Sequence, residues 1–329
     1  MSSYKPLVLL IGATGQTGSS ILKGLLDSGA VRVAALVRPS SISKPSTEVL
    51  RTSGVEIRAG DIKDSVDSLK KTLEGVDVLI SAVGGPALGD QKDVVLAAEE
   101  AGVQRVVPCD FATPGAKGVR GVADIKFGIR EYIQSLGVGY TFIDVGWWAQ
   151  LYLPLPLRSN APAQVKAGTW LICKDGSANN LVIDKGHIGT FVARIITDPR
   201  TLNKAVIAWD DEVTQIAAHE IGERVSGEGE ELKKQRIYLK RGDYLASAAA
   251  AKDEVAKDPT NVGAYIKVAM SEYGHSLYVL QENTLENAKA LGYLDARELY
   301  PDIPKFTLED VAKDFYAEAE PGDIYTAYG

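Results

Sequence analysis

Short apolar runs alternate with helical patterns over the first 145 residues. The runs cover 7–11, 31–37, 55–57, 76–80, 103–107 and 140–145. Each is too short for a helix and rich in β-branched residues, so each predicts a strand. Apolar positions at helical spacing predict helices near 16–28, 46–53, 64–74, 89–101 and 121–136. Strand–helix alternation at this spacing implies βαβ crossovers and a parallel sheet. The strands read as continuous hydrophobic runs, the pattern of a sheet covered on both faces.

After Gly146 the rhythm breaks. Pro154, Pro156 and Pro162 mark irregular chain. Strands are expected over 165–173 and 205–209, and helices near 187–198, 213–226, 242–251, 261–273, 283–291 and 307–318. No internal repeat or long low-complexity segment stands out. The expectation is an α/β fold of two parts. Residues 1–150 form the parallel-sheet domain, and residues 151–329 form a smaller, mixed, helix-rich region that closes over the sheet and is interwoven with it.

Composition narrows the function classes. The 329 residues are 45% hydrophobic and 24% charged, which suits a globular protein with a real core. No apolar run reaches the roughly 20 residues of a membrane helix. The N-terminus lacks the apolar stretch and cleavage site of a signal peptide, so a cytoplasmic location is expected. The net charge of −7 and the lack of a basic run argue against nucleic acid as partner. The chain has two cysteines, Cys109 and Cys173, and three histidines, with no metal-ligand spacing among them. Neither a disulfide framework nor a metal site is expected.

The strongest motif is Gly12-Ala13-Thr14-Gly15-Gln16-Thr17-Gly18, directly after the first predicted strand and opening the first predicted helix. That context distinguishes it from a bare glycine pattern. Glycines there let the chain turn sharply and bring backbone N–H groups to a pyrophosphate at the helix N-terminus. A βα turn that needs glycine only for its geometry is the lesser alternative. The second strand ends Val37-Arg38-Pro39-Ser40-Ser41, with no carboxylate before Glu48. A ribose 2′-hydroxyl is usually met by an acidic residue at this point. Arg38 offers a guanidinium to a 2′-phosphate instead, and Ser40, Ser41 and Lys44 add donors. NADP, as NADPH, is therefore expected over NAD. Asp61, after the third strand, either lies near the adenine or stabilises a turn. Ser81-Ala82-Val83, after the fourth, permits close backbone approach to the cofactor. Lys126 falls on the helix after the fifth strand, near the sheet edge where ligands bind in open α/β folds. On its own it reads either as a catalytic base, given a lowered pKa, or as a plain helical lysine.

These segments together resemble the isoflavone reductase-like group of the NmrA-like, atypical short-chain dehydrogenases. The likeness rests on the glycine motif, Val37-Arg38-Pro39, Val107-Pro108-Cys109-Asp110-Phe111, and Lys126 followed by Ile129-Arg130-Glu131-Tyr132-Ile133 and Gly139-Tyr140-Thr141. It continues through Gly186-His187-Ile188-Gly189-Thr190, Asp198-Pro199-Arg200-Thr201-Leu202-Asn203-Lys204 and Glu298-Leu299-Tyr300-Pro301-Asp302, so it covers nearly the whole chain. The resemblance implies an NAD(P)-binding Rossmann fold and an NADPH-dependent reductase of an aromatic, phenylpropanoid- or isoflavonoid-like small molecule. It also implies that Lys126 is a general base on a substrate phenol and contacts the nicotinamide ribose. Loss of the phenolic proton would expel a benzylic oxygen before hydride delivery to a quinone methide; other members of the group reduce a conjugated double bond. The Tyr-x-x-x-Lys signature of the typical short-chain enzymes is absent, since Val122 stands four residues before Lys126.

The departures from the family pattern gather around the expected substrate region. Cys109-Asp110-Phe111-Ala112 stands where the plant reductases usually read Ser-Glu-Phe-Gly. His187 replaces an acidic residue, and Gly146-Trp147-Trp148 replaces a segment that often reads Asn-x-Phe-Ala. Cys109 is expected to be a buried filler rather than a reactive thiol, and His187 a core or helix-end histidine. Phe111, Trp147, Trp148, Tyr152 and Trp170 either line an aromatic substrate pocket or belong to the core. Two other readings compete with the reductase: an NmrA-type dinucleotide-binding redox sensor without turnover, and a quinone reductase that does not need Lys126. A monomer or homodimer is expected.

Overall fold

The computed structural model describes residues 4–326. The strands, in chain order, are β1 (Leu7–Ile11), β2 (Arg32–Val37), β3 (Glu56–Ala59), β4 (Val78–Ser81), β5 (Arg105–Val107), β6 (Thr141–Val145), β7 (Trp147–Trp148), β8 (Leu171–Cys173), β9 (Asn179–Ile183), β10 (Lys204–Ala208), β11 (Asp211–Thr214), β12 (Ile237–Leu239) and β13 (Leu294–Asp295). The first five form a parallel sheet in the order β3-β2-β1-β4-β5. A parallel bridge between Val106 and Tyr140 hands the sheet on to β6, which pairs with β10, itself paired with β13. This strand order is that of the Rossmann fold.

The five helices of the first half are α1 (Gln16–Ser28), α2 (Pro45–Thr52), α3 (Val66–Thr72), α4 (Gln91–Glu100) and α5 (Gly121–Leu136). They cover both faces of the sheet, which explains the unbroken apolar strands. Successive side chains of a strand point to opposite faces. Val8 and Leu10 accordingly pack with Ile21 and Leu25 of α1 and with Ile188 and Phe191. Leu7 and Leu9 pack on the other face with Leu69, Val94, Ile129 and Ile133.

Chain beyond residue 150 returns to the sheet rather than standing apart from it. β10 and β13 extend the sheet, and the helix Ile188–Ile195 lies against α1. A Cβ added at Gly24 would lie 2.1 Å from the Gly189 carbonyl, and one at Gly189 only 1.8 Å from the Ser20 oxygen. The two helix backbones therefore touch, and neither glycine admits a side chain. The remaining second-half elements build small sheets β11-β9-β7 and β12-β8 and a separate core around Tyr152, Leu153, Leu155 and Phe315.

One expected strand is corrected. Residues 165–173 are not a single strand: Ala163–Thr169 is helical and only Leu171–Cys173 is extended. Pro162 immediately precedes the helix with its φ preset, and the short apolar run carried no signal of which period applied. The helix expected near 213 begins at Gln215, because Thr214 ends β11 and caps the helix by accepting a hydrogen bond from the Ala217 N–H. No helix among the described residues is long and apolar enough to cross a membrane.

Candidate dinucleotide and catalytic site

The β1–α1 turn presses against the end of β4. Gly12 has φ +80°, and a Cβ there would lie 2.3 Å from the Ala82 carbonyl oxygen. A Cβ at Gly18 would lie 1.9 Å from the Gly12 oxygen. Only glycine satisfies both constraints. The Gly15 N–H donates to the Gly12 carbonyl at 3.0 Å and closes the turn. Gly15 is the N-cap of α1; no side chain caps this end, and the first turn has no acidic residue. The opening N–H groups of α1, from Gln16, Thr17 and Gly18, thus have no intrahelical acceptor, and the helix dipole adds positive potential there. Thr14 and Gly15 are exposed beside them. Ser81, register partner of Ile11, is buried with its Oγ unpaired. The anion cradle and the unpaired hydroxyl next to it fit the diphosphate and a sugar of a dinucleotide.

Arg38 and Lys44 are exposed beyond the C-terminal end of β2, with Ser40 and Ser41 between them on a tight turn. Neither cation has a side-chain partner among the described residues, so both are free to meet a phosphate. Asp61 is half-buried and accepts from the Lys63 N–H at 3.0 Å, while its own N–H donates to Asp64 at 2.8 Å. That is a turn-stabilising arrangement. Val83 and Ala82 are half-buried at the end of β4, and the Cys109 thiol donates to the Val83 carbonyl at 3.2 Å.

Lys126 is half-buried on α5, and its ammonium donates to the backbone carbonyl of Asp110. Arg130, one helical turn on, ties the same residue by its side chain, with Nε donating to Asp110 at 3.0 Å. The guanidinium also donates to Asp144 on β6 at 2.7 Å and to the Tyr293 hydroxyl at 2.7 Å, and that hydroxyl donates to Asp144 at 2.5 Å. Burial pushes the Asp110 carboxyl up to about 6, against the opposing pull of Arg130. Its Oδ1 has no hydrogen-bond partner. The chain around it is tightly held: Gln91 accepts from the Cys109 N–H at 2.9 Å, and the Phe111 N–H donates to Ile143 at 2.9 Å. Phe111 itself has φ +36°, a strained value for an aromatic residue. Burial also raises the Cys109 thiol above its ordinary pKa, which disfavours the reactive thiolate.

The five aromatic residues do not share one environment. Adjacent positions of β7 face opposite ways, so Trp148 packs with Phe111 against the sheet core, while Trp147 joins Tyr152 in the second-half core. Trp147 lies 5.0 Å from the Tyr273 ring, centroid to centroid. Trp170 belongs to neither core, and its indole N–H donates to the Leu155 carbonyl at 2.8 Å. His187 is buried, with Nδ1 at 2.7 Å from Asp210 and its ring against Phe191 and Phe306. It is a core histidine. Sequence reading missed the Arg130–Asp110–Asp144–Tyr293 network. The spacing of Lys126 and Arg130 on one helix face was visible, but nothing local tied Tyr293 to them.

Fold and turn together define a dinucleotide-binding Rossmann protein. A model of the NmrA-like family matches residues 4–287, and the chain belongs to that family. An asnovolin J 5′,6′-dehydrogenase from Aspergillus novofumigatus is 36% identical over 312 residues, covering 93% of this chain and 94% of that protein. A phenylcoumaran benzylic ether reductase from Betula pendula is 28% identical over 95% of this chain and 99% of that protein. Among solved structures, the leucoanthocyanidin reductase–NADPH complex from Vitis vinifera superposes with a TM-score of 0.75 at 21% identity, covering 95% of this chain and all of that one.

Proposed function

We propose that this chain is an NADPH-dependent oxidoreductase of an aromatic small molecule, with Lys126 as its general base. The observation that carries the reading is the placing of Lys126. Its Nζ is half-buried and aimed by the Asp110 carbonyl, at the C-terminal edge of β5 beside Cys109, which in turn touches Val83 at the end of β4. NADPH, when bound, would supply the hydride. The chain itself holds the diphosphate on the α1 N-terminus and meets the 2′-phosphate with Arg38 and Lys44. Ser81–Val83 would lie along the cofactor, and Lys126 Nζ, once it has released its own proton to solvent, would take the substrate proton as a neutral amine. The NADPH complex of a family-fold reductase and the benzylic ether reductase from Betula pendula support the cofactor and the aromatic substrate class.

The direction of transfer has a second reading. A relative at 36% identity is named a dehydrogenase, which removes hydride from its substrate. Both directions are therefore assayed, as NADPH oxidation with phenolic ethers, enones and quinones, and as NADP⁺ reduction with their saturated counterparts. Lys126→Met is expected to lower turnover by about 100-fold or more, in the range of a lost general base, and to change the NADPH dissociation constant far less. Undiminished turnover in Lys126→Met overturns the base. Tight NADPH binding without turnover in either direction favours the sensor reading.

A further inference from the structure

We infer that Lys185, contributed by the second half of the chain, is the cation that clamps the cofactor's diphosphate against α1; this rests on the cofactor reading above. Lys185 lies on the short turn between β9 and the helix Ile188–Ile195, a segment remote in sequence from the glycine motif. Its Nζ donates to the Gln16 side-chain carbonyl at 2.6 Å, which sets the ammonium at the first residue of α1.

The placement is electrostatically wrong for an empty helix end. Cations are favoured at helix C-termini and anions at N-termini. Here a half-buried ammonium sits at the N-terminus of a 13-residue helix whose first turn has no acidic residue. Its hydrogen-bond partner is a neutral amide, and no carboxylate among the described residues pairs with it. The uncapped N–H groups of α1 and the unneutralised ammonium are linked through the Gln16 side chain, and a bound anion satisfies both.

The chain also invests in holding the turn there. The Ser20 hydroxyl on α1 donates to the Gly186 carbonyl and accepts from the Gly189 N–H, each at 3.0 Å. Gln150 accepts from the Lys185 N–H at 3.2 Å and donates to Asp184 at 2.7 Å. The Gly24–Gly189 backbone contact fixes the two helices at the same time. Lys185 is therefore presented to α1 by packing and hydrogen bonds that do not involve its own ammonium.

A diphosphate clamp and a 2′-phosphate clamp are separable by ligand. Dissociation constants of NADPH, NADH and ADP-ribose are measured by calorimetry for wild type, Lys185→Gln, Lys185→Arg and Arg38→Ala, with thermal unfolding of each apo protein as the folding control. Lys185→Gln is expected to weaken all three ligands by a similar factor of about ten or more, the worth of one charge-assisted contact, while Lys185→Arg retains most of the affinity. Arg38→Ala is expected to weaken NADPH alone. Constants within twofold of wild type in a folded Lys185→Gln protein overturn the clamp, and so does a loss confined to NADPH. A wild-type protein that binds none of the three ligands overturns the cofactor reading itself, an outcome distinct from either.

Discussion

The two ends of the proposed site are held in place by different physics. At the glycine end, shape comes from backbone approaching backbone: Gly12 against Ala82, Gly18 against Gly12. Among the described residues no charged side chain is fully buried there, and Lys185 reaches it half-buried. At the Lys126 end, shape comes from a buried charged network that joins α5, β6 and Tyr293, together with one strained aromatic residue, Phe111. The glycine end takes its turn from glycines at short spacing and leaves its N–H groups open to a ligand, although Ala82 and Lys185 reach it from distant segments. The Lys126 end joins residues as distant as Asp110 and Tyr293 and turns its charged groups on each other, leaving only Asp110 Oδ1 of that network unpaired. One end leaves its donors open and the other aims a single side-chain nitrogen.

The contrast is tested most severely at Arg130. Arg130→Leu leaves the Asp110 and Asp144 carboxyls buried without their shared cation, and broken buried pairs cost about 3–5 kcal/mol. Urea denaturation of the variant is expected to show a loss of that size; a loss below about 1 kcal/mol would mean that the network does not hold the Lys126 end.

A smaller stability change with a larger binding change is expected at the glycine end. Gly18→Ala forces a Cβ into the Gly12 carbonyl, and overpacking of this kind costs about 1–3 kcal/mol. The displaced turn is expected to lose NADPH binding at concentrations that saturate wild type, while the folded α/β circular-dichroism spectrum persists. Retained binding in Gly18→Ala would show that the close approach is not needed for the site.

The smallest expected effect is in pH dependence, and it separates the two halves of the molecule by sign. Asp110 has its pKa raised from 3.8 to about 6 by burial. The folded state binds that proton more tightly than the unfolded one, so this contribution is fully present below pH 3.8 and lost as pH rises through about 6. His219, buried on the helix Gln215–Val225, has its pKa lowered from 6.5 to about 4 by burial and by nearby Arg236. Its contribution is present above pH 6.5 and lost as pH falls through about 4. The two slopes oppose each other over the same window. Asp110→Asn is expected to leave stability rising with pH between 4 and 6, and His219→Gln to leave it falling. Each slope is bounded by about 1.4 kcal/mol per pH unit per proton. Identical profiles for both variants would contradict the assigned burial of one group or the other.

The sequence by itself determined the parallel sheet, because six apolar runs at βαβ spacing admit few other folds. It determined the glycine turn and the basic end of β2, since these depend on residue type at fixed short spacing. It also pointed to Lys126, through resemblance more than through any local signal. Tertiary structure alone decided the rest. Trp147 and Trp148 are neighbours in sequence, yet they enter different cores because β7 is extended. Ala163–Thr169 became a helix although its short apolar run suited either period. Tyr293 reached Asp144, and Lys185 reached Gln16, across 149 and 169 positions of the chain. Turns and strands follow from local sterics, which the order of residues states directly. Contacts between distant segments depend on which surfaces the packed sheet and helices bring together, and no short stretch of sequence encodes that.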